Sequence, residues 1–396
     1  MTPRERILCA LNHQEPDRVP IGFGGGPATI EVDAYEELKQ YLNISSETAI
    51  SVRCHVIPDE VIVNYFQSDF RFVRLKTEKP KMALDSSYVD AWGVTWKKPP
   101  SSLYYDMVDH PIKNPDLQEI KHYQKPNFNN PDMYRLAKKE AEKLRKENYF
   151  AIGTDLVCFG IFEQAWALRG FENFLLDLAL YPHFAKELLE KILNIQIKLF
   201  DRWLEAVGKY IDVITVSDDM GTQENLIVSA KMYRELIKPY QKRLFDFIKS
   251  KTNAYLLLHS CGSVYLVIED FIDIGVDILN PVQPMAKGMD TRRIKEEFGD
   301  KLVFWGGVDT QHVLCHGSVE DVRREVRKRI NDLGPGGGYI LSPAHNIQYG
   351  VRPENIIAMV DEAVRYGKYP LPGSKYEFNR DFHNAISGML MNDSKI

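Results

Sequence analysis

A histidine and a cysteine stand two residues apart where an apolar run ends, in the segment LLLHSCGS at positions 256–263. If the run is a strand, side chains two positions apart point to one face, so His259 and Cys261 project together. Imidazole nitrogen and thiolate sulfur are preferred zinc ligands, with bonds of about 2.0–2.1 and 2.3 Å. The pair therefore indicates half of a zinc site, and a catalytic site needs a third protein donor and an open position.

The third donor has to come from another strand end. His345, at the end of YILSPAH, is the best candidate, and Cys315, in the loop after residue 309, is its rival. Metal is not the only interpretation of these residues. His259 could be a hydrogen-bonded histidine at the rim of the fold, and Cys261 could fill space as a small apolar side chain.

Other apolar runs also end in polar residues. Asp218 and Asp219 follow one run, and we predict a catalytic role for them and for His345. Adjacent aspartates repel each other and are costly to bury, so one could point into the pocket while the other caps the following loop. Alternatively, one of them orients a ligand or holds a proton. The predicted substrate-binding residues are Asp155, Asn280, Gln283 and Asp309.

The elements that carry these residues alternate regularly. From about residue 132 onward, short apolar strands alternate with amphipathic helices, which predicts parallel strands with helices outside them. Polar residues follow many of the predicted strands. This pattern favours a (β/α)8 TIM barrel, in which the active-site residues lie at the carboxyl ends of the strands. A doubly wound sheet is less favoured, because no Gly-rich dinucleotide fingerprint follows the first strand, residues 18–23. We predict one domain over 1–396, with a helix at 3–12 and an antiparallel excursion at 69–98.

Composition narrows the possible partners. The 396-residue chain has a net charge of −5 and no basic run, which argues against nucleic acid. No apolar stretch approaches the roughly 20 residues that cross a bilayer, and the charged start resembles a short helix, so we expect a cytoplasmic protein without membrane contact. Its 5 cysteines are scattered, and in a reducing compartment they are expected to be free thiols.

Ordered motifs along nearly the whole chain resemble the uroporphyrinogen decarboxylase superfamily. They begin with TPRERILCALNHQEPDRVPI and DAWGVTWKK, continue through VSDDMGTQENLIVSAKMYRELIKPY, LLLHSCGS and DILNPVQ, and end with FWGGVDTQ and GGGYILSPAHNIQYGVRPENI. The resemblance implies a (β/α)8 barrel with its pocket at the carboxyl end. A homodimer is common in the family, so a homodimer is possible here.

The family contains two chemistries. Its decarboxylases act on a tetrapyrrole without a cofactor and hold the acidic side chains with an arginine-rich, RQAGRY-like segment after the first strand. Here that place is GFGGGPATIEVDAYEEL, which contains no arginine. The other branch resembles corrinoid-linked methyltransferases, whose zinc ligands are an H-x-C pair and a distant cysteine. His259 and Cys261 match that pair.

This chain departs from the methyltransferase pattern at the distant cysteine. Its PGCGI-like segment is PAHNI here, so His345 takes its place, either as a substitute zinc ligand or as the pocket histidine that decarboxylases carry in GHG. Gln283 stands near a glutamate of the methyltransferases that can approach the metal. Asp218 lies where decarboxylases have a small pocket hydroxyl.

The leading hypothesis is a zinc-dependent methyltransferase that moves a methyl group between a small methylated substrate or a thiol and a cobalamin, free or on a corrinoid protein. Zinc would act as a Lewis acid or hold a thiolate. A first alternative is a metal-free decarboxylase, in which His345 donates the proton and an early arginine, Arg53, Arg71 or Arg74, holds the carboxylate. A second alternative is a non-catalytic protein that binds a corrinoid or tetrapyrrole.

Overall fold

The computed structural model describes residues 1–24, 28–52, 55–75, 80–100, 102, 104–154 and 159–371. Its strands are β1 (Ala49–Val52), β2 (His55–Ile57), β3 (Phe70–Arg74), β4 (Ser87–Val89), β5 (Thr95–Lys97), β6 (Asp106–Asp109), β7 (Phe150–Thr154), β8 (Val213–Ser217), β9 (Tyr255–His259), β10 (Ile278–Val282), β11 (Val303–Val308) and β12 (Tyr339–Pro343). Seven of them form one parallel sheet, in the order β12-β11-β10-β9-β8-β7-β3.

The segment around Ile21 closes this sheet into a barrel. On one side it joins β12, since the Leu341 N–H donates to Pro20 O at 2.9 Å and the Gly22 N–H donates to Leu341 O at 2.8 Å. On the other side the Asp69 N–H, just before β3, donates to Ile21 O at 3.1 Å. The segment therefore occupies the eighth strand position, where the sequence predicts a strand over 18–23.

Helices surround the sheet, as expected for parallel strands. They are α1 (Pro3–Leu11), α2 (Val32–Tyr41), α3 (Glu60–Tyr65), α4 (Leu117–His122), α5 (Pro131–Lys146), α6 (Ile161–Arg169), α7 (Phe171–Leu180), α8 (Pro182–Val207), α9 (Ala230–Met232), α10 (Lys238–Lys251), α11 (Ile268–Asp273), α12 (Thr291–Phe298), α13 (Val319–Leu333) and α14 (Pro353–Tyr366). The predicted (β/α)8 barrel is confirmed.

Apolar side chains fill the inside of the barrel, and α1 covers its amino-terminal end. Ile7 and Leu11 of α1 join the interior cluster of Phe70, Phe72, Phe150, Ile152, Val213, Leu257, Ile278, Val303, Trp305 and Ile340. Two buried ion pairs hold α1 there, Arg4 to Asp212 at 2.7 Å and Arg6 to Asp69 at 2.5 Å. With this end plugged, the carboxyl end remains for a site.

The prediction of an antiparallel excursion over residues 69–98 is wrong for the first strand of that range. Phe70–Arg74 pairs in parallel with β7, so this run is a barrel strand and not the first strand of a hairpin. The antiparallel sheet consists of β4, β5 and β6 instead. The alternating pattern of FRFVRL misled the prediction, because it arises here from an apolar barrel interior alternating with an outer helical layer.

Two predicted residues lie beyond the described part of the chain. Asp155 and Arg53 lie outside the described residues, as does the stretch from 372 to the end of the sequence. No helix of the described part is both long and apolar enough to span a membrane.

We predict that Asp69→Asn destabilises the barrel strongly. The fully buried Asp69 carboxylate accepts hydrogen bonds from Arg6, from Arg18 at 2.8 Å and from the Ile21 N–H at 2.8 Å. Arg6 keeps its ion pair with Asp17 at 2.6 Å, but Arg18 loses the one carboxylate with which it is paired in the described part, and the free energy of unfolding should fall by about 3–5 kcal/mol in urea titrations.

The matched control is Asp246→Asn, which removes an exposed ion pair with Lys242 on α10. That change should cost less than about 0.5 kcal/mol. Equal losses in the two variants would contradict the role assigned to Asp69.

Candidate active site

Adjacent strands β8, β9 and β10 bring the candidate residues together at the carboxyl end of the barrel. Leu257 points into the barrel interior, so His259, two positions on, points into its mouth. In the strand register Ser217 stands beside His259 on one side and Asn280 on the other. His259 is only half-buried, as expected for a residue at a pocket wall.

A hydrogen bond from behind fixes the His259 ring. Its Nδ1 lies 2.6 Å from Oδ1 of Asn280, a fully buried residue. The Asn280 amide nitrogen in turn donates to Trp305 O at 3.4 Å, which keeps the amide oxygen directed at the imidazole. Nδ1 therefore carries the proton, and the lone pair of Nε2 faces the mouth. This is the arrangement in which a histidine serves as a metal ligand.

Cys261 and Asp219 complete a cluster with His259. The Sγ of Cys261 lies 3.4 Å from Nε2 of His259, and potential ligand atoms of the three residues all lie within 4.8 Å of one another. For bonds of about 2.05 and 2.3 Å at a tetrahedral angle, nitrogen and sulfur ligands are about 3.6 Å apart. The spacing therefore suits one shared ion, and Asp219 is a donor that the sequence analysis did not predict as a ligand.

Two tightly packed loops hold Cys261 beside Asp219. The Cys261 N–H donates to Oδ1 of Asp219 at 2.7 Å. Gly262 has a positive φ of 82°, and a Cβ there would lie 2.5 Å from the carbonyl oxygen of Thr222. The Ser263 N–H donates to that same carbonyl at 2.7 Å. Glycine at 262 thus lets the loop after β9 approach the loop after β8.

A buried carboxyl, Glu163, also faces this cluster. Ser217 Oγ donates to it at 3.1 Å, and burial together with the Asp219 and Asp218 carboxylates raises the pKa of Glu163 well above its ordinary value. Burial, Asp219 and Glu163 likewise raise the pKa of the Cys261 thiol. Among the described residues, no lysine or arginine is ion-paired with Asp219 or Glu163. A divalent cation would supply the compensating charge, so this donor set fits zinc.

The two adjacent aspartates have different surroundings. Asp218 is buried and caps α6, accepting from the Phe162 N–H at 3.1 Å and the Glu163 N–H at 2.8 Å, and Gln241 donates to it at 2.8 Å. Burial raises the pKa of Asp218 to about 6, although these hydrogen bonds oppose the shift. Asp218 therefore positions the start of α6, and with it Glu163, while Asp219 faces Cys261.

Three other predicted residues have local hydrogen-bonding or packing roles. Gln283 accepts from the Gly262 N–H at 2.9 Å, so it braces the Cys261 loop. Asp309 is buried and caps the helical turn Thr310–Leu314, accepting from the Gln311 N–H at 2.8 Å. Cys315 packs against the hydrophobic core and is not part of the His259 cluster.

His345 lies across the mouth from His259. The two ring centroids are 6.4 Å apart, and His345 is not part of the compact donor cluster. The ring is open to solvent, but the protein crowded around it and the neighbouring His259 lower the pKa of His345 to about 4. Gln348 contacts its Nδ1 at 3.1 Å. A neutral imidazole therefore faces the centre from the opposite side.

The sequence analysis missed Glu163 and the pair formed by Glu31 and His55. His55 Nε2 lies 3.3 Å from Glu31 Oε1 and 3.3 Å from the Asn346 amide nitrogen, next to His345. Glu163 lies on a helix and His55 on the β1–β2 hairpin, so neither follows a barrel strand. The one feature of the sequence that could have indicated Glu163 as a site residue is its position in the first turn of the helix that follows a barrel strand.

Comparisons with known proteins agree with this architecture. The family model for uroporphyrinogen decarboxylase (URO-D) matches residues 104–366. A uroporphyrinogen decarboxylase from Thioalkalivibrio sulfidiphilus is 29% identical over 139 residues, which cover 34% of this chain and 37% of that protein. A second one, from Chlorobium limicola, is 22% identical over 59% of this chain and 65% of its own length.

Relatives of the other kind match over more of their length. The methylcobamide:CoM methyltransferase MtbA of Methanosarcina acetivorans is 22% identical over 92% of this chain and 98% of that protein. The solved structure of a methyltransferase from Methanosarcina mazei superposes with a TM-score of 0.63 at 18% identity, covering 92% of this chain and 99% of its own. The fold, the matched span and these relatives lead to one conclusion: the chain belongs to the uroporphyrinogen decarboxylase family.

Proposed function

We propose that the protein is a zinc-dependent methyltransferase, which moves a methyl group between a small methylated substrate or thiol and a cobalamin, free or on a corrinoid protein. One observation carries the proposal: His259 Nε2, Cys261 Sγ and an Asp219 carboxylate oxygen converge in the barrel mouth within 4.8 Å. The full-length likeness to a methylcobamide:CoM methyltransferase supports it.

In this proposal, His259, Cys261 and Asp219 hold the metal. Asn280 keeps the proton on Nδ1 of His259 and so keeps Nε2 available. Gln283 and the Gly262 backbone hold the Cys261 loop in place. A bound zinc would act as a Lewis acid on the leaving heteroatom, or would lower the pKa of a substrate thiol so that it reacts as a thiolate.

His345 belongs to the substrate side in this proposal. Its neutral ring faces the donor cluster from across the mouth, 6.4 Å from His259 by ring centroids, and can donate or accept a hydrogen bond at the substrate heteroatom. This assignment replaces the expectation that His345 is the third ligand. Asp155 remains a predicted substrate contact.

The alternatives make different demands on the same residues. A metal-free decarboxylase would have no use for a thiol held beside an imidazole lone pair. A non-catalytic corrinoid-binding protein would show no turnover. Zinc content therefore tests the first alternative, and methyl transfer tests the second.

We predict that zinc content will divide the site variants into two classes. Purified wild type should contain close to one zinc per chain, whereas His259→Ala, Cys261→Ala and Asp219→Ala should contain little, since each loses a donor. His345→Ala should retain zinc. The measurement is elemental analysis after dialysis against a weak chelator, with Cys315→Ala as the matched cysteine control.

Equal zinc content in all these proteins would contradict a zinc site at these residues. A His345→Ala protein as empty as Cys261→Ala would make His345 a ligand, and an Asp219→Ala protein that keeps its zinc would contradict the role given to Asp219.

We also predict that the protein, when it contains zinc, transfers the methyl group of methylcobalamin to a small thiol, which gives the methyl thioether, cob(I)alamin and the released thiol proton. The visible absorption of the corrin reports the reaction. Cys261→Ala should lower the rate by at least about a hundredfold, because the loss of one metal ligand or its support costs metal binding or activity on that scale. Equal rates with wild type and Cys261→Ala would contradict the proposal.

The two adjacent aspartates should respond differently to the same substitution. Asp218→Asn places an amide N–H where two backbone N–H groups and Gln241 donate, and should lower the free energy of unfolding by about 1–3 kcal/mol. Asp219→Asn keeps an acceptor for the Cys261 N–H and removes repulsion with Glu163. In the zinc-free protein it should therefore change the free energy of unfolding by less than about 1 kcal/mol. Denaturant titration of the two zinc-free variants measures this, and a larger loss for Asp219→Asn would refute the division of roles.

A further inference from the structure

A chain of two hydrogen-bonded side chains reaches the His345 ring on the loop after β12. The amide nitrogen of Gln348 lies 3.1 Å from Nδ1 of His345, and the same nitrogen donates to the Asn346 carbonyl oxygen at 2.6 Å. The amide oxygen of Gln348 accepts a hydrogen bond from the Tyr104 hydroxyl. Tyr104 lies between β5 and β6, so the antiparallel sheet is linked to a histidine at the barrel mouth.

The bond to Asn346 determines which atom of the Gln348 amide faces His345. A carbonyl oxygen only accepts hydrogen bonds, so the Gln348 atom beside it must be the NH₂ group. The second N–H of that group points at Nδ1 of His345, and Nδ1 therefore accepts with its lone pair. In a neutral imidazole that accepts at Nδ1, the proton lies on Nε2.

The two histidines of the mouth consequently hold opposite tautomers. The His345 ring is neutral near pH 7, because the protein packed around it and the neighbouring His259 lower the pKa of His345 to about 4. Its one N–H lies on Nε2, which faces away from Gln348. His259 keeps its proton on Nδ1, where Asn280 accepts it. One ring thus offers a lone pair, and the other, 6.4 Å away by ring centroids, offers an N–H.

Backbone pairing holds Gln348 in this position. The Ile347 N–H donates to Thr29 O at 2.9 Å, and the Glu31 N–H donates to Ile347 O at 2.9 Å. The Thr29 N–H also donates to the side-chain oxygen of the buried Asn346 at 3.2 Å. These bonds fix the residues on both sides of Ile347, so the Gln348 amide is oriented before any ligand binds.

We propose that Tyr104 and Gln348 are positioning residues, which keep the proton of His345 on Nε2 so that this N–H donates to the reacting heteroatom of the substrate. The identity of that heteroatom rests on the proposed function, but the tautomer of His345 does not.

A fixed N–H donor suits the proposed reaction. When a methyl group passes to cob(I)alamin, the carbon–heteroatom bond breaks and its electron pair stays on the heteroatom, while a cobalt electron pair forms the bond to the methyl carbon. The heteroatom gains negative charge in this step. An N–H already directed at it stabilises that charge more than it stabilises the bound methylated substrate.

NMR of ¹⁵N-labelled histidine rings tests the tautomer directly. In purified wild type near neutral pH, the His345 signals, identified by their absence from His345→Gln, should show a proton on Nε2 and a lone pair on Nδ1. Gln348→Glu replaces the N–H donor with a carboxylate oxygen, so Nδ1 should gain a proton. The matched control Gln311→Glu adds the same charge on the turn after β11 and should leave the ring unchanged. A proton on Nδ1 in wild type, or an unprotonated Nδ1 in Gln348→Glu, would overturn the proposal.

Thiol binding tests whether the N–H meets the ligand. The sulfur-to-cobalt absorption band reports the binding of 2-mercaptoethanol, an uncharged thiol, to the Co²⁺-loaded protein. His345→Ala should bind it about tenfold more weakly, as expected for the loss of one hydrogen bond to a charged sulfur. Gln348→Met and Tyr104→Phe should weaken binding by a smaller factor, because the ring loses its fixed tautomer and orientation. Equal affinity in wild type and His345→Ala would contradict donation to the heteroatom.

A double-mutant cycle separates positioning from general support of the fold. If Gln348 acts through His345, Gln348→Met should not change thiol affinity in a His345→Ala background. An equal loss of affinity in both backgrounds would show that Gln348 acts independently of His345 and would refute its positioning role.

The NMR measurement keeps this proposal distinct from the proposed function, since it requires neither metal nor turnover. If the protein binds no zinc and transfers no methyl group, but Gln348→Glu moves a proton onto Nδ1, the methyltransferase proposal fails and the positioning of His345 stands. If methyl transfer requires zinc while Nδ1 stays unprotonated in Gln348→Glu, only the positioning role fails.

Discussion

Three acidic groups share one enclosed space at the carboxyl end of the barrel, and the rest of the site depends on how their charge is compensated. Burial and the Asp219 carboxylate raise the pKa of both Glu163 and the Cys261 thiol, and the Glu163 carboxyl raises the pKa of the thiol further. The cluster then either keeps its protons or exchanges them for a cation. The nearby His259 nitrogen, held with its lone pair toward Cys261, favours the second outcome.

The barrel produces this crowding through neighbouring strands. Parallel strands end at a common edge, so the loops after β8 and β9 have to pack side by side, and the close approach at Gly262 brings Cys261 onto the Asp219 carboxylate. Asn280 reaches His259 from β10, the next strand in the sheet. Side chains from three consecutive strands thus form the site, while α1 closes the opposite end of the barrel with buried ion pairs.

The sequence was most informative where a single strand determined the direction in which the side chains point. The H-x-C spacing alone predicted that His259 and Cys261 share a face, and they do. Strand spacing could not decide which of Asp218 and Asp219 faces the pocket, because that depends on α6 offering its backbone N–H groups to Asp218. The third donor had the same difficulty: His345 follows a strand as the pattern requires, yet Asp219 is the residue that lies within the cluster.

Long-range neighbours were beyond the sequence. Glu163 reaches the site from the first turn of a helix, and Asn280 acts by orienting the His259 ring. The local sequence around Glu163 or Asn280 therefore does not reveal either role. Arg74 could not be placed, because FRFVRL fits a surface hairpin as well as a barrel strand until its pairing with β7 is known. The dominant fold followed from the regular alternation of strands and helices, which depends on no single contact.

X-ray absorption at the zinc edge of the purified protein tests the central claim most directly. We expect one sulfur at about 2.3 Å from zinc and nitrogen or oxygen ligands at about 2.0–2.1 Å, with the sulfur contribution lost in Cys261→Ala. A zinc shell without sulfur, or a protein that takes up no zinc when it is supplied, would contradict it.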